Sequence, residues 1–355
     1  MAKAKLPVAV VGATGLAGQQ FLAALGRHPS FELVRLAASE RSAGKKYGDA
    51  IRENGASRWY AGELCPPEFE TLVVENAAQM KTDGLAAIFT AVESDAAREL
   101  EPRYAMDVPV FSTASAFRYD DDVPMLLPAV NGDHWSMVEQ QKKRGWKGYI
   151  IPGPNCTTIG LVHTLKPLQD AFGLKAVSMT SMQSVSGAGR SPGVLALDII
   201  DNVIPFIAKE EEKVEKETKK ILGAAGVPAD IKVSCTCTRV PVLEGHTEAV
   251  FASLGAKASV DDVKKVMREW GAHMREYALP SAPEHWLTVH DDPYRPQPRR
   301  DRDAEGGMTT SVGRVREDGV LQNGIKWVLV SHNTKMGAAK GAILAAEFMQ
   351  LKGKL

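Results

Sequence analysis

Apolar residues follow two different rhythms along this chain. In the first part they come as short unbroken runs: Val8-Ala9-Val10-Val11, Leu85 to Ala91, and Pro109 to Thr113. Runs of this kind read as strands buried on both faces. Phe31 to Ala38 is a further strand, and helical patterns fall at Gln19 to Gly26 and Ser94 to Tyr104. Strands alternating with helices predict a parallel sheet. Beyond Cys156 the rhythm changes. Ala176 to Val185, Lys232 to Val240, Thr247 to Leu254 and Lys326 to Ser331 alternate apolar with polar positions. They predict long strands of a mixed sheet with one face on helices. Lys209 to Lys220 carries Glu-to-Lys spacings of three and four, the mark of a solvated helix face. Asp291 to Gly307 is rich in proline, arginine and aspartate and reads as a long surface loop. An apolar helix, Ala342 to Leu351, follows the small residues around Gly337 to Gly341 and is expected to pack closely.

The change of rhythm divides the 355 residues into two domains. The fold class is α/β. An N-terminal Rossmann-like dinucleotide-binding domain spans 1–152 and is completed by a C-terminal helical segment, 335–355. An α+β catalytic and dimerisation domain with a mixed sheet spans 153–334.

Between the first strand and the first helix lies Gly12-Ala13-Thr14-Gly15-Leu16-Ala17-Gly18. Glycines there permit a tight turn and let backbone N–H groups approach a pyrophosphate at the helix N-terminus. Gly12, Thr14, Gly15, Leu16 and Ala17 are the candidate contacts. The second strand ends without the acidic residue that would bond a ribose 2′-hydroxyl. It runs instead into Ser39-Glu40-Arg41-Ser42-Ala43-Gly44-Lys45-Lys46. Hydroxyls and cationic groups suit a 2′-phosphate, so Ser39, Arg41 and Ser42 predict NADP, with Glu40 facing away.

Near the middle of the chain, Gly148-Tyr149-Ile150-Ile151 reads as a strand, and Pro152-Gly153-Pro154 ends it. After Asn155-Cys156 a helical pattern opens. Cys156 is therefore predicted in the first turn of a helix, where unpaired N–H groups and the dipole favour a thiolate and can hold an oxyanion.

Composition narrows the partners. Lysine plus arginine and aspartate plus glutamate are each 43, so nothing points to a polyanion or a membrane surface. The first apolar run is too short for a signal-peptide core or a membrane span, which predicts a cytoplasmic protein. Its four cysteines are then reduced thiols. Cys235 and Cys237 share a strand face, but no further soft ligands accompany them, so no metal is expected.

Taken together, these motifs resemble the aspartate-semialdehyde dehydrogenase family, in its archaeal and fungal branch. The resemblance runs from Val8 to the C-terminus. It rests on Gly12 to Gly15, Ala37 to Lys45, Pro154-Asn155-Cys156-Thr157-Thr158, Gln183 to Gly189, Arg239 to Glu248, and Asn333-Thr334. It implies an NADPH-dependent reductase of biosynthetic metabolism leading to lysine, threonine and methionine. The substrate is an acyl phosphate, L-aspartyl 4-phosphate; the products are the aldehyde and inorganic phosphate. By the same resemblance Cys156 is the nucleophile and His246 the general acid and base. Asn155 positions the reacting carbonyl and Gln183 orients the acyl-enzyme. Arg239 clamps the substrate carboxylate, Glu211 binds its amino group, and Lys213 and Arg118 hold phosphate. Ser186 and Gly187 lie against the nicotinamide, with Asn333 on its carboxamide. A homodimer or homotetramer is implied. Arg239 and His246 are an odd number of residues apart, so Pro241 and Glu244-Gly245 must break the strand between them. The chain departs from the family pattern at Glu93, Thr113, Ala129, Gly153 and Arg190. Two other readings share parts of this sequence: an acyl-CoA reductase of the malonyl-CoA reductase type, and a non-catalytic NADP-sensing protein.

Overall fold

The structure is a computed structural model in which residues 4–62, 64–190 and 193–355 are described. The chain divides into two compact units. One comprises Met1–Leu126, His134–Gly153 and Ala338–Leu355; the other comprises Leu127–Asp133 and Pro154–Gly337. The sequence-based division differs in three places, the first being that Gly153 closes the first unit instead of opening the second. Leu127–Asp133 belongs with the second unit, because its short helix Pro128–Asn131 packs on the helices Cys156–Phe172 and Glu210–Leu222. The return to the first unit comes at Ala338 rather than at residue 335, inside the π-helical turn Lys335–Ala339.

The first unit is built on a six-stranded sheet, all of whose pairings are parallel. Its strands are β1 (Leu6–Val11), β2 (Phe31–Ala38), β3 (Val74–Asn76), β4 (Ala87–Thr90), β5 (Val110–Ser112) and β6 (Ile150–Pro152). They lie in the order β3-β2-β1-β4-β5-β6. Val8, Ala9, Val10 and Val11 are fully buried, as an unbroken apolar run in a two-sided sheet requires. Strand order reverses at β1, and such a switch point opens a crevice at the strand's C-terminal end. Gly12 sits there with φ +82°, and a Cβ on it would come within 2.2 Å of the Ala91 carbonyl oxygen. Helix α1 (Leu16–Leu25) begins immediately after this turn. A Cβ on its Gly18 would meet the Gly12 carbonyl oxygen at 2.2 Å, so helix and turn touch backbone to backbone.

The second unit carries a six-stranded mixed sheet. Its strands are β7 (Leu174–Gln183), β8 (Lys232–Arg239), β9 (His246–Leu254), β10 (Leu287–Val289), β11 (Thr310–Asp318) and β12 (Gly324–Ser331). The order is β8-β7-β9-β12-β11-β10, and β9 pairs antiparallel with both neighbours. Along β9 every second residue from His246 to Leu254 is buried, while those between are half-buried. The buried row faces the helix Cys156–Phe172. The outer edge of β8 is covered in a specific way. The Cys235 and Cys237 amides donate to the Glu215 and Glu211 carboxylates, at 3.3 and 2.9 Å, from the helix Glu210–Leu222. Carboxylates thus occupy an edge that would otherwise offer unpaired donors.

The expected surface loop at Asp291 to Gly307 is more ordered than its composition indicates. Asp301 is 1% exposed and accepts from Arg295 Nε at 2.9 Å and from the Gln297 amide at 2.6 Å. A buried carboxylate paired with a half-buried arginine and a backbone donor fixes the segment, and it contains a helical turn, Pro298–Asp301.

Candidate active site

Asn155 caps the helix Cys156–Phe172. Its Oδ1 accepts from the Thr157 and Thr158 amides at 2.9 and 3.4 Å. Its Nδ2 donates to Glu210 Oε1 at 2.8 Å, and its backbone N–H donates to Glu217 Oε2 at 2.6 Å. Both ends of the side chain are thereby engaged within the protein. Asn155 fixes where the helix starts. An N-cap of this kind is worth about 1 kcal/mol.

Cys156 is the first residue of that helix. Its Sγ lies 3.2 Å from Nε2 of His246, the first residue of β9. As the spacing required, the strand is broken between Arg239 and His246. His246 is fully buried, and burial, with Arg239 and His332 nearby, pushes it down to about 3. The ring is therefore neutral at neutral pH. Its Nδ1 accepts from the Ser184 amide at 3.1 Å, which leaves the ring proton on Nε2, facing the sulfur.

Arg239 closes the other side. Its Nη1 donates to the Ser184 carbonyl at 2.8 Å, and its charge is felt by both Cys156 and Glu210. Burial lowers its pKa, while those anionic neighbours raise it. Gly187 lies against both groups: a Cβ there would be 3.0 Å from Arg239 Nη1 and 3.1 Å from His246 Cε1. From the opposite end of the unit's sequence, Gly337 approaches Cys156, and a Cβ on it would come within 2.9 Å of the Cys156 Cβ.

Other expected residues fall as follows. Gln183 is 1% exposed at the end of β7, and its Nε2 donates to Ser181 Oγ at 3.2 Å. Lys213 pairs with Glu210 at 3.5 Å. The Glu211 carboxylate accepts the Cys237 amide at 2.9 Å. Glu210, one residue earlier, is the carboxylate that meets both Asn155 and Lys213. Its signal was available in the sequence: three residues before Lys213 places it on the same helix face. Ser184 and Glu217 were also missed. Asn333 is buried, with Oδ1 accepting from Ser184 Oγ at 3.1 Å and from the Gly245 amide at 2.9 Å. Its Nδ2 donates to Ser186 Oγ at 2.8 Å.

Arg118 belongs to the first unit and is 6% exposed. Its Nη2 donates to the Thr113 carbonyl at 3.0 Å. The neighbouring Asp120 and Asp122 pair with Arg144. Arg118 is electrostatically coupled to Glu101, a fully buried carboxyl that burial pushes up to about 7. Glu101 Oε1 accepts from Thr90 Oγ1 and Ser112 Oγ at 2.6 and 2.5 Å.

The dinucleotide turn of the first unit, Gly12 to Ala17, has no side chain capping α1 at Gly15 and no acidic residue in the helix's first turn. Ser39, Glu40 and Arg41 are exposed after β2, and Ser42 is buried. Close glycine packing, helix N–H groups without a side-chain cap and an exposed guanidinium fit a phosphorylated dinucleotide.

A family model described as "Semialdehyde dehydrogenase, NAD binding domain" matches residues 7–138. One described as "Semialdehyde dehydrogenase, dimerisation domain" matches residues 165–336. Aspartate-semialdehyde dehydrogenase of Methanothermobacter thermautotrophicus is 45% identical over 347 residues, covering 96% of this chain and 98% of that protein. The Candida albicans protein of the same name is 42% identical over 367 residues, with 97% of each chain covered. A crystal structure of aspartate semialdehyde dehydrogenase with NADP from Candida albicans superposes with a TM-score of 0.87. It is 39% identical, covering 99% of this chain and all of that one.

Proposed function

This chain belongs to the aspartate-semialdehyde dehydrogenase family, and we propose that it reduces L-aspartyl 4-phosphate to L-aspartate 4-semialdehyde with NADPH, releasing phosphate. One observation carries the reading. Cys156 Sγ stands at a helix N-terminus, 3.2 Å from an imidazole nitrogen, beside a buried guanidinium.

The chemistry follows from those groups. The Cys156 thiolate attacks the acyl carbon, a C–S bond forms, and phosphate departs with the C–O bonding pair. The N–H groups at the start of the helix are the donors available to the oxyanion. NADPH, when bound, supplies the hydride that reduces the thioester. The resulting thiohemiacetal oxyanion reforms its C=O bond, and the C–S pair returns to sulfur as the aldehyde leaves. His246 Nε2–H stabilises the thiolate both as nucleophile and as leaving group. The reverse direction retraces these steps, and wherever the thiohemiacetal oxyanion has picked up a proton, bare Nε2 is the group that removes it.

Arg239 is the proposed clamp for the substrate carboxylate, and Glu211 the proposed partner of its ammonium group, with Glu210, beside Asn155 and Lys213, as the second candidate. Lys213 and, in the first unit, Arg118 are the proposed phosphate ligands. The dinucleotide is assigned to Gly12, Thr14, Gly15, Leu16 and Ala17, its 2′-phosphate to Ser39, Arg41 and Ser42. Ser186 and Gly187 are the proposed nicotinamide contacts. Asn333, whose Nδ2 gives one of its two protons to Ser186 Oγ, is the proposed contact to the carboxamide.

Among the described residues no helix is long and apolar enough to cross a membrane, and a cytoplasmic enzyme is proposed. The dimerisation-domain match supports a homo-oligomer, proposed as a dimer or tetramer. The deciding experiment follows NADPH oxidation with aspartyl phosphate and, separately, with malonyl-CoA. Turnover with the acyl phosphate alone is expected; turnover with the thioester alone replaces this reading.

A further inference from the structure

Ser184 meets Nδ1 of His246 with two of its own groups: the backbone N–H at 3.1 Å and the hydroxyl Oγ at 3.2 Å. The backbone group can only donate, whereas a hydroxyl can donate or accept. Asn333 settles which. The Gly245 amide points at Asn333 Oδ1 from 2.9 Å, which identifies that end of the side chain as oxygen. Ser184 Oγ lies 3.1 Å from the same oxygen and must donate to it. Nδ1 has a single lone pair, already filled by the Ser184 N–H in the resting arrangement. The hydroxyl oxygen therefore turns its own lone pairs toward Nδ1.

We propose that Ser184, oriented by Asn333, is a positioning residue that makes both neutral tautomers of His246 available. With the ring proton on Nε2, Nδ1 accepts the Ser184 N–H, and the ring is a donor to sulfur. With the proton on Nδ1, the Ser184 oxygen accepts it, and bare Nε2 is a base. Both resting forms of the ring are thus neutral in a site that disfavours charge, and a cation forms only while bare Nε2 holds the proton it has taken up. Loss of charge on sulfur, as in the thioester, removes the main pull on Nε2–H and favours the second form. This inference rests on His246 being the acid and base of the reaction.

The test combines kinetics with ¹⁵N NMR of histidine-labelled enzyme, free and after Cys156 has been alkylated with iodoacetamide. In the alkylated wild-type enzyme both His246 nitrogens are expected at shifts between the protonated and bare extremes. In Ser184→Ala, Nδ1 is expected fully bare and Nε2 fully protonated in both states. The catalytic efficiency of that variant should fall about three- to tenfold, the weight of one neutral hydrogen bond. The fall should be equal in both directions, because they share one transition state. Ser184→Thr keeps the hydroxyl and should restore both readouts. Asn333→Ala, read in the cofactor-free enzyme, frees the hydroxyl proton for Nδ1 and should shift the tautomer as Ser184→Ala does. Wild-type shifts in Ser184→Ala, or lost activity with unmoved shifts, overturn the proposal. His246→Ala separates the two claims. If that variant keeps wild-type turnover, the acid–base reading falls too. If it is inactive while Ser184→Ala matches wild type, only the tautomer device falls.

Discussion

Cys156 and Cys237 belong to the same unit of this protein and face opposite chemical prospects. Cys156 stands at a helix N-terminus, with an imidazole N–H and a guanidinium beside it. Cys237 is fully buried in β8, with Glu210 and Glu211 as its charged neighbours. Burial first, then those carboxylates, push its thiol up to about 12 even though a Ser181 hydrogen bond pulls the other way. Exposure is not the discriminator. Cys65 is half-buried, as Cys156 is, yet burial and the charges of Glu70 and Glu68 push it up to about 11. Burial raises both inert thiols most and neighbouring carboxylates add to it, whereas Cys156 has an imidazole N–H and a guanidinium beside it.

The largest effect expected is from substituting the nucleophile. Cys156→Ser should cost about a thousandfold or more in turnover while leaving NADP affinity, read by fluorescence titration, nearly unchanged. Cys237→Ser should stay within about twofold of wild type, because a buried thiol far above its ordinary range does no chemistry. Comparable losses in the two variants would erase the contrast.

Alkylation reads the same contrast directly. At neutral pH iodoacetamide should label Cys156 at least about a hundredfold faster than Cys65 or Cys237, since only the thiolate reacts. Peptide mapping over time measures it. The other two should gain reactivity only as pH climbs toward 11 for Cys65 and 12 for Cys237.

A smaller effect tests the cation. Arg239→Lys keeps the charge but loses the planar fork, so catalytic efficiency should fall about tenfold. The Cys156 alkylation rate should hardly move. Loss of stability and thiol reactivity together with activity would make Arg239 a structural group instead of a clamp.

The smallest effect concerns the buried carboxyls. Burial raises Glu248 well above its ordinary value, and neither of its carboxyl oxygens has a hydrogen-bond partner. Glu101 is raised to about 7. Both bind a proton in the folded state that the unfolded chain has already lost, so stability falls as pH rises above about 4.5. Glu101's share of the loss is complete beyond about 7. Glu248→Gln mimics the protonated acid and should flatten this slope while changing stability near pH 5 by less than about 1 kcal/mol. Denaturant titrations across that range measure both. An unchanged slope would mean that Glu248 is ionised, and that the inert side of the comparison is more highly charged than described.

Much of this was legible in the sequence, for identifiable reasons. The first sheet's main strands were readable because two-sided burial writes an unbroken apolar run. Cys156 was placed at a helix start because prolines and glycine stop the preceding strand. The break between Arg239 and His246 followed from spacing alone. The misses have physical causes too. Glu210 was not singled out, because only the fold brings it to Asn155 and Lys213 together. Ser184 is one polar residue in a run of them, and its value depends on Asn333, which reaches it only through the fold. The strand Thr310–Asp318 opens on threonine and serine and is buried by its partners, not by its own apolar content. Asp301 was unreadable as an anchor because composition carries no sign of a buried carboxylate.

Gly337 gives this site an unusual genetic signature. Its φ is not of the left-handed kind, so alanine there meets no backbone strain; the obstacle is the Cys156 Cβ at 2.9 Å, with the Cys156 Cα and the His332 carbonyl oxygen each at 3.2 Å. A single added methyl must displace the start of the nucleophile's helix. In a saturation screen scored by growth, position 337 should behave like the catalytic cysteine itself, tolerating no replacement, although it contributes no functional group. Scored instead by protein abundance, the same alleles should pass as ordinary. That divorce between the two scores is a fingerprint of a residue selected for the room it leaves.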